Sequence, residues 1–223
     1  MQRTPLSQRV LPNYTRANEI ANMTTHIIGA AMGVVIMLAA IFVSVYNNNV
    51  WGLVSSVIYA STVILLFSVS SIYHGLKPEY AKKVMQVIDH STIFFLICGT
   101  YTPILLSAVR VNYPFVAWLV FGFEWGLAIF GAVLTSIDHK KYSKVAMLCY
   151  IGMGWFVVFA LGPTVESIGI EGFLLILLGG VLYTVGAVLY SVGKKHSVLH
   201  TVFHVFVDVA CIIQAYAIIR YAL

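Results

Sequence analysis

The sequence predicts an all-α integral membrane bundle of seven transmembrane helices, and three observations predict it. Only 9% of its 223 residues are charged and 60% are hydrophobic, whereas about a quarter of residues are charged in a soluble domain. The mean hydropathy is +0.91. Seven apolar segments reach the roughly 20 residues that a spanning helix needs. Finally, lysine and arginine segregate into alternate connections between those segments, as they do when cytoplasmic loops retain positive charge.

Residues 1–19 form a basic arm with Arg3, Arg9 and Arg16 but no apolar core of its own. The apolar run that follows is too long for the h-region of a signal peptide, so the first span is expected to be retained. The spans fall at approximately 20–46, 50–74, 89–109, 114–137, 143–162, 170–192 and 197–221, and residues 20–223 form one membrane domain. Their ends carry stop signals. Gly75 and Pro78 follow the second, and Gly162-Pro163 close the fifth, because glycine caps a helix and proline cannot continue one. Turns at Asn47-Asn48-Asn49 and at Asn112–Pro114 separate spans that are otherwise nearly continuous. Small residues at helix-packing spacing, Gly29-x-x-x-Gly33 and Gly122-x-x-x-Gly126, are expected to let neighbouring helices of the same chain approach closely.

The charge distribution sets the orientation. Arg3, Arg9 and Arg16, then Lys77, Lys82 and Lys83, then Lys140, Lys141 and Lys144, then Lys194 and Lys195 lie on one side, against Arg110 and Arg220 on the other. The N-terminus is therefore expected in the cytoplasm and the C-terminus outside. The cations are spread over short connections and form no stripe, so no nucleic-acid partner is expected. Cys98, Cys149 and Cys211 lie singly in apolar runs and read as core residues.

Ionisable side chains within spans are costly and mark function by default. His74 ends the second span, Asp89 opens the third, and His200 and His204 occupy the first turns of the seventh. At about 1.5 Å rise per residue all four lie in one layer near the cytoplasmic face. His200-x-x-x-His204 places two imidazoles on one helix face, and His74 supplies a third nitrogen. Three histidines with one position left for water is the pattern of catalytic zinc. For the pair alone, helix packing is the competing reading. Asp89 could orient or deprotonate the water, or act as a fourth ligand. Ser70, one turn deeper than His74, could donate to a carbonyl oxygen, or simply bond back to its own helix.

These residues sit in recognisable motifs: Glu19-x-x-Asn22-x-x-x-His26, Ser70-x-x-x-His74 within SSIYHG, Ile88-Asp89-His90-Ser91 with Gly99-Thr100-Tyr101-Thr102-Pro103, and His200-x-x-x-His204 within HTVFHVF. The chain resembles the hemolysin III-like proteins of the progestin and adipoQ receptor family, which are related to alkaline ceramidases. The resemblance covers nearly the whole chain and implies a zinc ion held by His74, His200 and His204, with Asp89 and Ser70 beside it. It also implies Glu19, Asn22 and His26 as partners of the ligands, a merely interfacial position being the alternative for Glu19 and His26. Asp208 extends the face of His200 and His204 by another turn and is expected as a further partner or as part of a proton path. His90 points about 100° away from Asp89 around the helix and is not expected to be a ligand; His139 and His196 read as solvated loop residues. Glu124, mid-span, reads as a buried, neutral, hydrogen-bonded acid.

The leading reading is an intramembrane zinc hydrolase acting on an amide or ester of a membrane lipid and affecting lipid homeostasis, in a bacterial inner (plasma) membrane. Two others compete: a pore-forming or transport protein whose path is lined by Glu124, Asp208 and the histidines, and a non-catalytic receptor of membrane state with structural zinc. A retinal protein is excluded by the lack of a lysine in the seventh span.

Overall fold

A computed structural model describes residues 4–192 and 197–223, and every regular element among them is helical. A 3-10 turn at Leu6–Gln8 precedes α1 (Arg16–Tyr46), α2 (Val50–Gly75) and α3 (Glu79–Pro103). α3 runs on through a π-helical stretch, Ile104–Val109, into a single turn, α4 (Arg110–Asn112). Then come α5 (Pro114–Gly154), a 3-10 segment Phe156–Ala160, α6 (Leu161–Val192) and α7 (Ser197–Ala217), with a π-helical end at Ile218–Ala222. Five continuous helical stretches among the described residues are long and apolar enough to cross a membrane. The chain is thus a multi-pass membrane protein. Arg3, Lys194, Lys195 and His196 lie outside the described residues.

The longest of these stretches, Pro114–Ser191, is not one straight rod. Asp138 leaves helical geometry at φ −155° and ψ 91°, and Gly169 takes φ +71°, a left-handed value that glycine adopts without steric cost. Both breaks fall between the expected spans 114–137, 143–162 and 170–192. A third occurs at Trp155, where Tyr101 satisfies the groups set free. Its hydroxyl donates to Met153 O (3.0 Å) or Gly154 O (3.2 Å) and accepts from Val157 N (2.8 Å). The turn Asn47–Asn49 is as short as expected. Asn48 takes φ +53°, which asparagine tolerates, and Asn49 caps α2 by accepting from Gly52 N at 2.7 Å.

Two elements start earlier than the sequence suggests. α1 begins at Arg16, capped by Thr15, so the arm is shorter than 1–19. α3 begins at Glu79, ten residues before the expected span, and Lys82 and Lys83 are buried on it rather than solvated in a loop. The π-helical stretch follows Pro103, which has no N–H for the regular ladder.

α1 packs on α2, α2 on α3 and α3 on α5, and α7 closes the ring against α1 and α6. The approach of α1 to α2 uses Gly29 and Gly33, where an added Cβ would meet Phe67 at 2.6 Å and Ile64 at 2.8 Å. The same expectation fails for Gly122 and Gly126, since nothing lies within 4 Å of a Cβ at either. That face of α5 packs on no other helix among the described residues. Gly99 on α3 is the tightest contact with α2: a Cβ there would stand 2.1 Å from Thr62 Oγ1, which is itself fixed by a 2.7 Å bond to Tyr59 O. Gly99→Ala is expected to lower stability by about 1–3 kcal/mol through this overpacking. Thermal unfolding in detergent checks it, with Gly122→Ala as the neutral comparison.

Candidate metal centre

The site is built where α1, α2, α3 and α7 meet. His74 is the penultimate residue of α2, and His200 and His204 are one turn apart on α7. All three are buried, and each offers one nitrogen to a cluster whose atoms lie within 4.8 Å of one another. His200 Nε2 is 3.4 Å from His74 Nε2 and 3.0 Å from His204 Nε2. Three lone-pair positions therefore converge from two helices, an arrangement that can hold a metal ion.

What aims them is a chain of polar contacts across three helices. His74 Nδ1 donates to Glu19 Oε2 at 2.7 Å, and Lys82 Nζ meets Glu19 Oε1 at 2.8 Å. Lys82 also donates to the end of α2, at His74 O (3.4 Å) and Leu76 O (3.3 Å), acceptors that a helix C-terminus leaves free. With its Nδ1 proton committed to a carboxylate, His74 presents the Nε2 lone pair inward. Asn22 accepts from Thr201 at 2.6 Å and brings its amide within 3.5 Å of His74 Nδ1, tying α1 to α7 beside His200. His26 stacks on His204, ring centroids 3.8 Å apart, and meets Phe67 edge-on. Its two nitrogens are buried without partners.

Tyr14, in the arm, stacks on His200 at 4.9 Å. Burial, and after it the neighbours Tyr190, Glu19 and Asp89, push its phenol well above the usual tyrosine range. Asp89 lies within range of the charge of His74 and has Ser70 beside its carboxylate.

The remaining expected residues fall elsewhere. No hydrogen bond to the histidines is made by Asp208, whose Oδ1 is buried without a partner; it lies within charge range of Tyr183 and Cys211. Glu124 is fully buried, and neither of its oxygens is hydrogen-bonded, contrary to the expectation of a bonded acid. His90 lies outside the cluster: its Nδ1 bonds to Gln86 O at 2.8 Å. His139 is not solvated but packs against His90, ring centroids 4.3 Å apart. Sequence reasoning passed over Lys82, Tyr14 and Thr201. Lys82 lies seven residues before Asp89, hence on the same helix face, a spacing that could have pointed to it; nothing in the polar arm marks Tyr14.

His200, His204, His26 and Asp89 line a cavity of about 820 Å³, whose lining His74 does not join. One wall comes from α6, including Gly180, Tyr183 and Tyr190, and another from the second half of α5, including Tyr150 and Gly154. Neither Gly154 nor Gly180 has anything within 4 Å of where a Cβ would sit.

The sequence profile of haemolysin-III related proteins matches residues 14–215. Hemolysin-3 of Bacillus cereus is 32% identical over 205 residues, 92% of each chain. The Hemolysin-3 homolog of Bacillus subtilis (strain 168) is 31% identical over 194 residues, 87% of this chain and 89% of the relative. The human Monocyte to macrophage differentiation factor is 26% identical over 228 residues, 98% of this chain and 90% of the relative. No solved structure gives a significant match.

Removing one member of a buried ion pair costs more than removing both, because a lone charge stays behind. Lys82→Met is therefore expected to destabilise the protein by about 1–3 kcal/mol, and adding Glu19→Gln, whose amide oxygen still accepts from His74, should restore at least half. A double-mutant cycle on thermal unfolding reads the coupling; additive losses would show that the pair is uncoupled.

Proposed function

The chain belongs to the haemolysin-III related family, and on that premise we propose that it is an intramembrane zinc hydrolase that cleaves an amide or ester of a membrane lipid. We read the chain as seven crossings, with the breaks at Asp138 and Gly169 ending separate spans. The charge segregation supports an N-terminus and a histidine layer on the cytoplasmic side, and the Bacillus relatives support a bacterial plasma membrane as its location.

The convergence of the three Nε2 atoms carries this reading. Nitrogens on a tetrahedral zinc at 2.0–2.1 Å stand about 3.3 Å apart, close to the 3.4 and 3.0 Å separations here. Glu19 on His74 Nδ1 is the kind of carboxylate partner that zinc-ligating histidines keep, and a set of three histidines leaves one position for water or substrate. When bound, zinc supplies a Lewis acid that polarises a carbonyl and makes water nucleophilic near neutral pH.

The protein's own groups do the rest. Glu19 and Lys82 fix the His74 ring, and the stacked rings of Tyr14 and His26 fix His200 and His204. Asp89, oriented by Ser70, takes the proton of the attacking water at its carboxylate oxygen and returns it to the leaving amine or alcohol. The cavity, lined by Leu96, Ile104, Ile176 and Val207 below the histidines, suits an acyl chain. Of the residues on which a pore reading rests, Glu124 and Asp208 are not among those that line it, while His200 and His204 are.

Purified protein is expected to contain about one zinc per chain by elemental analysis, lost in His200→Ala and His204→Ala, while Asp89→Asn keeps the metal and loses hydrolysis of an acyl-amide or acyl-ester lipid by about 10²-fold or more. A metal-free wild type would sink the proposal.

A further inference from the structure

The cavity has two ends of unlike chemistry. Its floor is apolar, but its rim carries Arg9, His139 and Lys140, with the histidine layer between them. Arg9 is the anomaly. It is 4% exposed, and both terminal nitrogens are shielded from water without any hydrogen-bond partner. Among the described residues its one side-chain hydrogen bond is from Nε to Thr4 O, at 3.4 Å. A guanidinium does not lose its proton in proteins, and a buried cation without acceptors is strongly unfavourable. Asp138 is near enough to interact with its charge. That carboxylate accepts from Thr4 N at 2.8 Å and Lys141 N at 3.1 Å, and the terminal nitrogens of Arg9 make no hydrogen bond to it. The donors of Arg9 are thus left for an acceptor from outside the chain, and a guanidinium fork matches the paired oxygens of a phosphate or carboxylate.

We propose that Arg9, with Lys140 at the exposed rim, holds the phosphate of an anionic lipid whose single acyl chain fills the apolar floor of the cavity. This rests on the hydrolase reading and narrows its substrate class. The histidine layer lies between rim and floor, so the bond to be cut must lie between the anionic group and the chain. An acylated phospholipid with one chain meets that demand. A free fatty acid, whose carboxylate joins the chain directly, has no such bond, and inorganic phosphate leaves the floor empty.

Equilibrium binding to the purified full-length chain in non-ionic detergent tests this, with oleoyl-lysophosphatidylglycerol, oleoyl-lysophosphatidylcholine, oleate and inorganic phosphate as probes. The anionic lysolipid is expected to bind about tenfold or more tighter than the zwitterionic one, the scale of a charge-assisted bidentate contact. Arg9→Gln should abolish that preference, Arg9→Lys should retain part of it, and Lys140→Gln, at an exposed position that leaves folding intact, should reduce it about threefold. Equal affinity for the two lysolipids, or a preference that survives Arg9→Gln, would overturn the proposal. Oleate binding as tightly as the anionic lysolipid would overturn the phosphate assignment, and inorganic phosphate binding as tightly as the anionic lysolipid would overturn the lipid assignment. Repeating the binding on His204→Ala, in which the hydrolase reading allows no turnover of the probe, separates the two readings. A headgroup preference in a chain that never holds zinc defeats the hydrolase alone, and zinc-dependent hydrolysis with no preference defeats this inference alone.

Discussion

Charge inside a membrane protein has to find its partner within the protein, because the hydrocarbon offers none. In this chain that requirement is met at Glu19, whose two oxygens are shared between His74 at 2.7 Å and Lys82 at 2.8 Å. The contact joins the start of α1, the end of α2 and the first turn of α3. It also sets which nitrogen of His74 faces α7, so the geometry of the histidine cluster follows from a carboxylate that is not part of it. Lys82 reaches the carbonyls at the end of α2 as well, and so secures the helix on which His74 is carried. The packing of α1 on α2 through Gly29 and Gly33 holds the same helices together below.

Much of this was legible in the sequence, and the reasons are physical. Apolar length is a direct demand of the bilayer, so the helical segments could be drawn without contacts. Asn47-Asn48-Asn49 marked a turn, and Asn48 takes φ > 0 there, whereas the stop expected at Gly162-Pro163 does not occur: α6 runs through that pair and breaks only at Gly169. Helical spacing put His200 and His204 on one face, and depth alone brought His74 and Asp89 to their layer. What could not be read is whatever depends on rotation and partner choice. Lys82 looks like any loop cation until α3 is seen to start at Glu79. Asp208 shares a face with the histidines by spacing, yet lies toward Tyr183 and Cys211 a turn further on. Gly122-x-x-x-Gly126 has the same pattern as Gly29-x-x-x-Gly33 but no neighbour, because spacing reports what a helix permits and not where its partner stands.

The arm is the least membrane-like part of the chain and the part most changed by the structure. Read as a run of positive charge, it becomes a segment in contact with the bundle: Thr4 bonds to Asp138, Lys83 to Ser7 O at 3.5 Å, and Tyr14 lies flat on His200. Anything approaching the histidines from that side meets the arm first, so access to the cluster and the position of the arm are one variable.

Gly154 and Gly180 face the cavity with open space where a side chain would project. The room beyond the histidine layer is therefore partly the absence of two side chains rather than a consequence of how the helices cross. A larger residue at either position would shorten the chamber without touching α1, α2 or α7, on which the histidines and their partners sit. Chemistry and size are set on separate helices, and the length of what the cavity accepts can drift by single substitutions while the cluster stays as it is.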